Sequence, residues 1–358
     1  MDAARLVGEA AALIEAGRLD DAEALLAAAR ALDPLDPAVA YRQGLIELDR
    51  GRAAAALVEF DRALSFDDAN ARAHNNRGSA LLLLGRVSEA EAAFRGALER
   101  DSRLTPPRLN LARLLEQQGH AGAAATLYRD AIRAGIDVGV FTHHLAALEG
   151  TAPLQADASW VRATFDNFAP AFDHQLREVL AYRVPEELAA LLLEYTADES
   201  EILDLGCGTG LVGAALAGSG RRVRGVDLSE KMLALARERG VYAQLACAEV
   251  HEFLAAAPTH GLDAVVAADL FIYIGALEQM FAAVARVLRP AGAFAFSVEE
   301  TVDADYRLLA TGRYAQSHDY VSRLAASDFD QIVAPALTLR TENGAPVAGR
   351  LYLFRRRG

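Results

Sequence analysis

The first 140 residues of this 358-residue chain repeat on a period of 34, which leaves that part of the molecule few ways to fold. Registers begin near Ala3, Pro37, Ala71 and Thr105. Small residues recur as Ala10, Gly44, Gly78 and Ala112, and turn glycines as Gly17, Gly51, Gly85 and Gly119. Ala22, Ala56, Ala90 and Ala124 then precede a bulky slot filled by Leu26, Phe60, Phe94 and Tyr128, with Ala29, Ala63, Ala97 and Ala131 after it. A unit this short cannot bury its own apolar face, so such repeats must stack on their neighbours.

The columns resemble the tetratricopeptide repeat, which implies one helix-turn-helix per period. The glycine would end the first helix in a left-handed cap, and the small residues would let the paired helices approach. About four repeats over residues 1–138 form an all-α solenoid on this reading, followed by a closing helix and linker at 139–160. The adjacent His143 and His144 point about 100° apart on a helix and make a poor metal pair. Repeats of this kind bind peptides or proteins in a concave groove. Arg42, His74, Asn75, Arg77, Arg108 and Asn110 are the polar candidates there, and a solvated face without a partner is the plain alternative.

A different grammar begins at Glu201. Ile202, Leu203 and Leu205 read as a short buried strand, Gly206, Gly208 and Gly210 as a tight turn, and Leu211 to Ala217 as a helix whose first amides face a ligand. Val223 to Val226 read as the next parallel strand. That leaves Asp227 at its carboxyl end, where a carboxylate can accept from ribose hydroxyls. The pattern implies a nucleoside ligand.

Asp204 with the glycines resembles motif I of the class I S-adenosylmethionine-dependent methyltransferases, in which an acid at this position helps to hold the methionyl amine. Asp227, Leu228, Ser229 and Met232 are similar to that family's Asp-x-Ser-x-x-Met pattern, and Glu249 with Val250 falls where the family contacts adenine. Phe165-Asp166 through Phe172-Asp173 resembles a Phe-Asp lead-in that covers the cofactor in small-molecule methyltransferases. The likeness implies S-adenosyl-L-methionine as cofactor and a lid at 161–185, with Phe165, Phe168 and Phe172 as cover residues and Cys207 in the glycine turn. The layout as a whole resembles a bacterial group of predicted methyltransferases with N-terminal tetratricopeptide repeats.

Further strands are expected at Tyr242 to Ala246, Asp263 to Ala268 and Ala293 to Val298, with a helix from Gly275 to Leu288. A closing hairpin pairs Val333 to Arg340 with Arg350 to Arg355. Residues 161–358 thus read as an α/β Rossmann-like, doubly wound domain, whose chemistry gathers at the carboxyl ends of its strands. Asp269, Tyr273 and His318 are the catalytic candidates, Asp269 doubling as a cofactor residue, and Glu299, Glu300 and Tyr320 lie on loops that reach the same mouth.

A formal charge of −13, and Lys231 as the only lysine, argue against nucleic-acid binding. Cys207 and Cys247 have no metal-type or disulfide-framework spacing, so no metal is expected and a reduced cytoplasmic location is the default. The opening residues lack a leader pattern and no apolar run has the length of a membrane span.

Three accounts stay open. In the first, an enzyme methylates an O or N atom of a small molecule, with the repeats as scaffold. In the second, the repeats recruit a protein or peptide acceptor. The third is an adaptor whose cofactor domain no longer catalyses, against which the intact Asp204, Gly206, Gly208, Gly210 and Asp227 speak.

Overall fold

A computed structural model describes the chain except residues 1, 170–171, 175, 177–179 and 343–344, and the side chains of Asn167, Phe168 and His174. Phe168 as a cover residue and the turn of the closing hairpin therefore lie outside the described residues. Two compact units are present, Met1–Leu145 and Ala146–Gly358.

The first unit is built of antiparallel helix pairs: α1 (Ala3–Glu15) with α2 (Leu19–Leu32), α3 (Pro37–Asp49) with α4 (Ala53–Phe66), α5 (Ala71–Leu83) with α6 (Val87–Arg100), and α7 (Thr105–Gln117) with α8 (Ala121–Arg133). Gly17, Gly51, Gly85 and Gly119 each take a left-handed φ directly after a first helix. The repeating alanines and the bulky slot are all buried. A Cβ on Gly44 would stand 2.6 Å from the Phe60 ring, and one on Gly78 2.5 Å from Phe94. In the first repeat, where the slot holds the smaller Leu26, the partner column holds Ala10, and in the fourth Tyr128 goes with Ala112. Phe141 and His144 on α9 (Val138–Glu149) lie against Tyr128 at ring distances of 5.9 Å and cover the last repeat.

The second unit begins with α10 (Ala158–Phe168), the short α11 (Phe172–His174) and α12 (Val184–Tyr195). Then come β1 (Glu201–Leu205), α13 (Leu211–Ala215), β2 (Arg222–Asp227), α14 (Glu230–Arg239), β3 (Gln244–Cys247), α15 (Val250–Ala256) and β4 (Leu262–Ala267). A 3-10 turn (Phe271–Tyr273), α16 (Glu278–Val287) and β5 (Leu288–Glu300) follow. The remainder is β6 (Tyr306–Leu308), β7 (Tyr314–Gln316), α17 (His318–Ala325), β8 (Phe329–Val333), β9 (Ala336–Glu342) and β10 (Ala345–Arg356).

The strands form one sheet in the order β3-β2-β1-β4-β5-β10-β8, with β9 on β10 and β7 joining β5 to β6. β3 through β5 are parallel, and β10 runs antiparallel to β5, β8 and β9. Strand periodicity divides the core into two layers. Leu203, Val265, Phe294, Phe296, Tyr352 and Phe354 face the layer of α15, α16 and α17. Ile202, Ala264, Val266, Ala295 and Leu353 face that of α12 and α13. The fold is a tetratricopeptide-repeat solenoid followed by a Rossmann-like α/β domain, as the sequence implies.

The helix expected to reach Ala217 ends at Ala215, and in the closing hairpin Val333 ends β8 while β9 starts at Ala336, after Pro335, which has no amide to donate. Three further bounds differ for identifiable reasons. β3 starts at Gln244, because Tyr242 turns inward beneath the glycine turn. The helix after β4 starts at Glu278, because the Gln316 side chain donates to the Phe271 and Ile274 carbonyls and holds that segment in a 3-10 turn. The fifth strand runs from Leu288 to Glu300 and continues through the anticipated Pro290 turn as a register shift against β4.

Candidate active site

Close to the carboxyl ends of β1, β2 and β4 lies a cavity of about 300 Å³. One wall is the turn after β1. Gly206, Gly208 and Gly210 all adopt left-handed φ values, and the Gly206 and Cys207 amides bond to the Val226 carbonyl at 2.9 and 3.0 Å. At Gly208 an added Cβ would meet only Phe172, 3.8 Å away, so the backbone stands open to the cavity.

Two buried carboxylates close this end. Asp227 Oδ2 accepts from the Gly208 amide (2.9 Å) and Oδ1 from the Ser229 amide (2.8 Å), which fixes the group while leaving lone pairs toward the cavity. Burial raises its pKa, against the pull of those amides. Asp204 Oδ2 accepts from the Tyr242 hydroxyl at 2.7 Å, but Oδ1 is buried without a partner. Burial pushes the Asp204 carboxyl up to about 7. A buried acceptor without a protein partner is open to a donor from water or from a ligand.

Leu228, Ala248, Glu249 and Val250 form the next part of the wall. Glu249 also caps α15, accepting from the His251 and Glu252 amides at 2.7 and 3.0 Å. Ser229 caps α14 by accepting from the Met232 amide at 3.1 Å. The Met232 side chain goes into the core and does not line the cavity, and Gly210 backs onto Tyr242 instead of the ligand space.

Phe165 and Phe172 cover the cavity, edge to face at 5.9 Å, with Phe165 also 5.3 Å from Tyr273. Each Phe-Asp pair divides its labour. Beside the covering rings, Asp166 accepts from Ser229 Oγ (2.5 Å), while Asp173 accepts from Thr209 Oγ1 (2.5 Å) and pairs with Arg239. The segment before α10 is pinned as well, since Leu154 and Ala156 exchange backbone hydrogen bonds with residues 273 to 276.

The far end holds Asp269, Tyr273, Arg313 and Arg340. Asp269 has a left-handed φ of 50°, donates its amide to Ser297 Oγ (2.8 Å), and accepts from that hydroxyl at Oδ1 (2.8 Å). Its Oδ2 is paired with Arg340 at 2.9 Å. Arg340 is itself buried and also binds Glu299 and Glu342, while Arg313 pairs with Glu342. Burial alone would lower the Arg340 pKa, but Asp269, Glu299 and Glu342 together hold it above the ordinary arginine value. Burial likewise raises the Tyr273 phenol.

Of the catalytic candidates, Asp269 and Tyr273 therefore reach the cavity, but Asp269 arrives already neutralised. His318 does not reach it: its ring stacks on Tyr352, with Nδ1 3.0 Å from that hydroxyl. Glu300 is spent on Arg350 (2.8 Å), and the Tyr320 hydroxyl accepts from the Leu277 amide. Sequence reasoning missed Arg313, Arg340 and Tyr242. A glycine in the middle of β2, Gly225, was the signal for Tyr242, whereas Arg340 falls on the polar phase of β9 with Thr338 and, like Arg313, carried none.

On the repeat unit, Asn110 donates to Asn75 (3.0 Å), Asn75 to Asn76 (3.0 Å) and Asn76 to the Tyr41 hydroxyl (3.2 Å), a row crossing α7, α5 and α3. His74, Arg77 and Arg108 are instead engaged by Asp68, Asp61 and the Ser102 carbonyl. Arg42 Nε makes no hydrogen bond among the described residues.

Residues 202–292 match the family model of a methyltransferase domain, and residues 7–71 and 59–104 match that of the tetratricopeptide repeat. The chain joins tetratricopeptide repeats to a methyltransferase domain. It is 30% identical over 143 residues to a ubiquinone biosynthesis O-methyltransferase of Thiobacillus denitrificans, covering 38% of this chain and 59% of that protein. To the protein of that name from Azoarcus it is 32% identical over 148 residues, covering 37% of this chain and 60% of the relative. The chain thus spans about six-tenths of the length of these relatives. Among solved structures it resembles Burkholderia thailandensis 1,6-didemethyltoxoflavin-N1-methyltransferase, solved with 1,6-didemethyltoxoflavin and S-adenosylhomocysteine. The identity is 19% and the TM-score 0.45, over 58% of this chain and 93% of that one. No helix among the described residues is long and apolar enough to cross a membrane.

Proposed function

We propose that the protein transfers a methyl group from S-adenosyl-L-methionine to an oxygen or nitrogen atom of a small molecule bound at the Tyr273 end of the cavity. The observation that carries this reading is the pairing, within one covered cavity, of a glycine turn and two buried acids with an aromatic far end. The residues suit the cofactor: Asp227 for the ribose, the unpartnered Asp204 oxygen for an ammonium, and Leu228, Glu249 and Val250 for the base. Bound there, the cofactor supplies a methyl group activated on sulfonium.

The protein's own work is then placement and exclusion of water, because an in-line displacement needs the acceptor held behind the methyl carbon. Phe165 and Phe172 shut out solvent. Tyr273, kept as a neutral phenol by burial, donates a hydrogen bond to orient the acceptor and does not deprotonate it. Asp269 positions Arg340 and shapes the pocket floor. The name of the curated relatives favours oxygen as the acceptor atom.

Calorimetry with S-adenosylhomocysteine tests the cofactor reading. Asp227→Ala is expected to weaken binding about a hundredfold, the loss of two hydrogen bonds to a charged group. Equal affinity in wild type and variant would count against it. A second reading, recruitment of a peptide acceptor by the repeats, is favoured by the amide row of Asn75, Asn76 and Asn110. Labelled-methyl transfer into lysate fractions decides between them: incorporation into protein that is lost in Asn75→Ala/Asn110→Ala supports recruitment, and incorporation into small molecules unchanged by that variant supports the first.

A further inference from the structure

Behind the glycine turn, where an ordinary α/β domain packs aliphatic side chains, this one places a tyrosine. The Tyr242 ring fills the volume left by three glycines from three elements. A Cβ would come within 2.8 Å of it at Gly210, 2.5 Å at Gly213 and 3.0 Å at Gly225. Its hydroxyl is engaged twice, donating to Asp204 Oδ2 at 2.7 Å and accepting from the Gly213 amide at 3.1 Å. With both its lone pair and its proton committed, the hydroxyl has one orientation. The carboxylate it grips is fully buried and has its other oxygen, Oδ1, unpartnered in a residue that lines the cavity.

We infer that Tyr242 is a positioning residue for cofactor binding: it ties down one oxygen of Asp204 so that the other is presented, ionised, to the ligand's ammonium group. The inference rests on the cofactor reading above and names a residue on which that reading depends. The titratable groups facing Asp204 are Tyr242 ahead of β3, Asp227 at the end of β2, Cys207 in the turn and Tyr182 ahead of α12. None of these is a cation, so the tyrosine proton is what favours the carboxylate until an ammonium arrives. Burial raises Asp204 to about 7, and the Tyr242 hydrogen bond works against that rise.

The sign follows. The ammonium requires the ionised carboxylate, so affinity strengthens as pH rises through the Asp204 pKa, and removing the hydroxyl moves that rise to higher pH.

Calorimetry from pH 6 to 8.5 on the full-length wild type and Tyr242→Phe provides the test, since phenylalanine keeps the ring among its glycines. Two probes are compared: S-adenosylhomocysteine, and 5′-methylthioadenosine, which has the nucleoside but no amino group. Tyr242→Phe is expected to bind S-adenosylhomocysteine about tenfold more weakly at pH 7, with the deficit shrinking toward pH 8.5, and to bind 5′-methylthioadenosine as wild type does. Superimposable pH profiles in the two proteins would overturn the inference alone. So would an equal, pH-independent loss for both probes, which is what a purely packing role gives. No binding of S-adenosylhomocysteine to wild type at any pH would overturn the cofactor reading, and this inference with it.

Discussion

Arg340 shows how a single side chain can organise the acceptor end of the cavity. Its guanidinium is almost entirely withdrawn from solvent and serves Asp269, Glu299 and Glu342 at once. Removing one partner of a buried ion cluster leaves the others uncompensated, which costs more than the cluster itself contributes. Arg340→Met is therefore expected to destabilise the methyltransferase unit by about 3 kcal/mol, measured as a shift in denaturant midpoint. Asp269→Asn, which keeps the shape and the Ser297 contacts, should cost clearly less. If both variants unfold like wild type, the cluster is not structural. Such residues were hard to find in sequence because a charge in a strand normally faces solvent. What holds this one inside is its pairing with Asp269 after β4 and Glu299 on β5, 71 and 41 residues away in sequence. Asp227 and Asp204 were legible because backbone geometry sets their places, whereas His318, expected on a loop at the mouth, opens α17 and turns its ring onto Tyr352.

At the level of elements, the repeats state their packing rule in pairs of columns. Gly78 faces Phe94 and Gly44 faces Phe60, while Ala10 goes with Leu26. Gly78→Ala should thus destabilise the repeat unit by about 1–3 kcal/mol through overpacking, despite alanine's better helix propensity. Adding Phe94→Leu should recover part of the loss, which a double-mutant cycle in urea measures. The closing helix adds a pH response. Burial against Tyr128 lowers His144 to about 3, below its unfolded value. A depressed histidine pKa means full stability above pH 6.5 and progressive loss below it, about 2 kcal/mol between pH 7 and pH 5. His144→Phe should flatten that part of the profile when unfolding is followed by far-ultraviolet circular dichroism. The lid segment belongs to this scale too. Its phenylalanines were readable as a stripe, but the clasping by Asp166 and Asp173 was not, since their partners Ser229, Thr209 and Arg239 lie 36 to 66 residues away in sequence.

For the whole molecule, each unit has a core of its own, so each carries its own stability. The single tryptophan, Trp160, belongs to the second unit, and its fluorescence reports the unfolding of that unit. Saturation with S-adenosylhomocysteine at a hundred times its dissociation constant should raise that transition by about 2.7 kcal/mol. An unmoved tryptophan transition would mean that the ligand does not bind there. The order of strands has a different consequence, in time. β10 is inserted between β5 and β8, so Phe294, Phe296 and Val298 lack their neighbouring strand until residues 345–356 have been made. The helix pairs of the first unit need only what has already been synthesised, and can close one after another as they emerge from the ribosome. One apolar edge of β5, together with β8 and β9, must wait for that last strand.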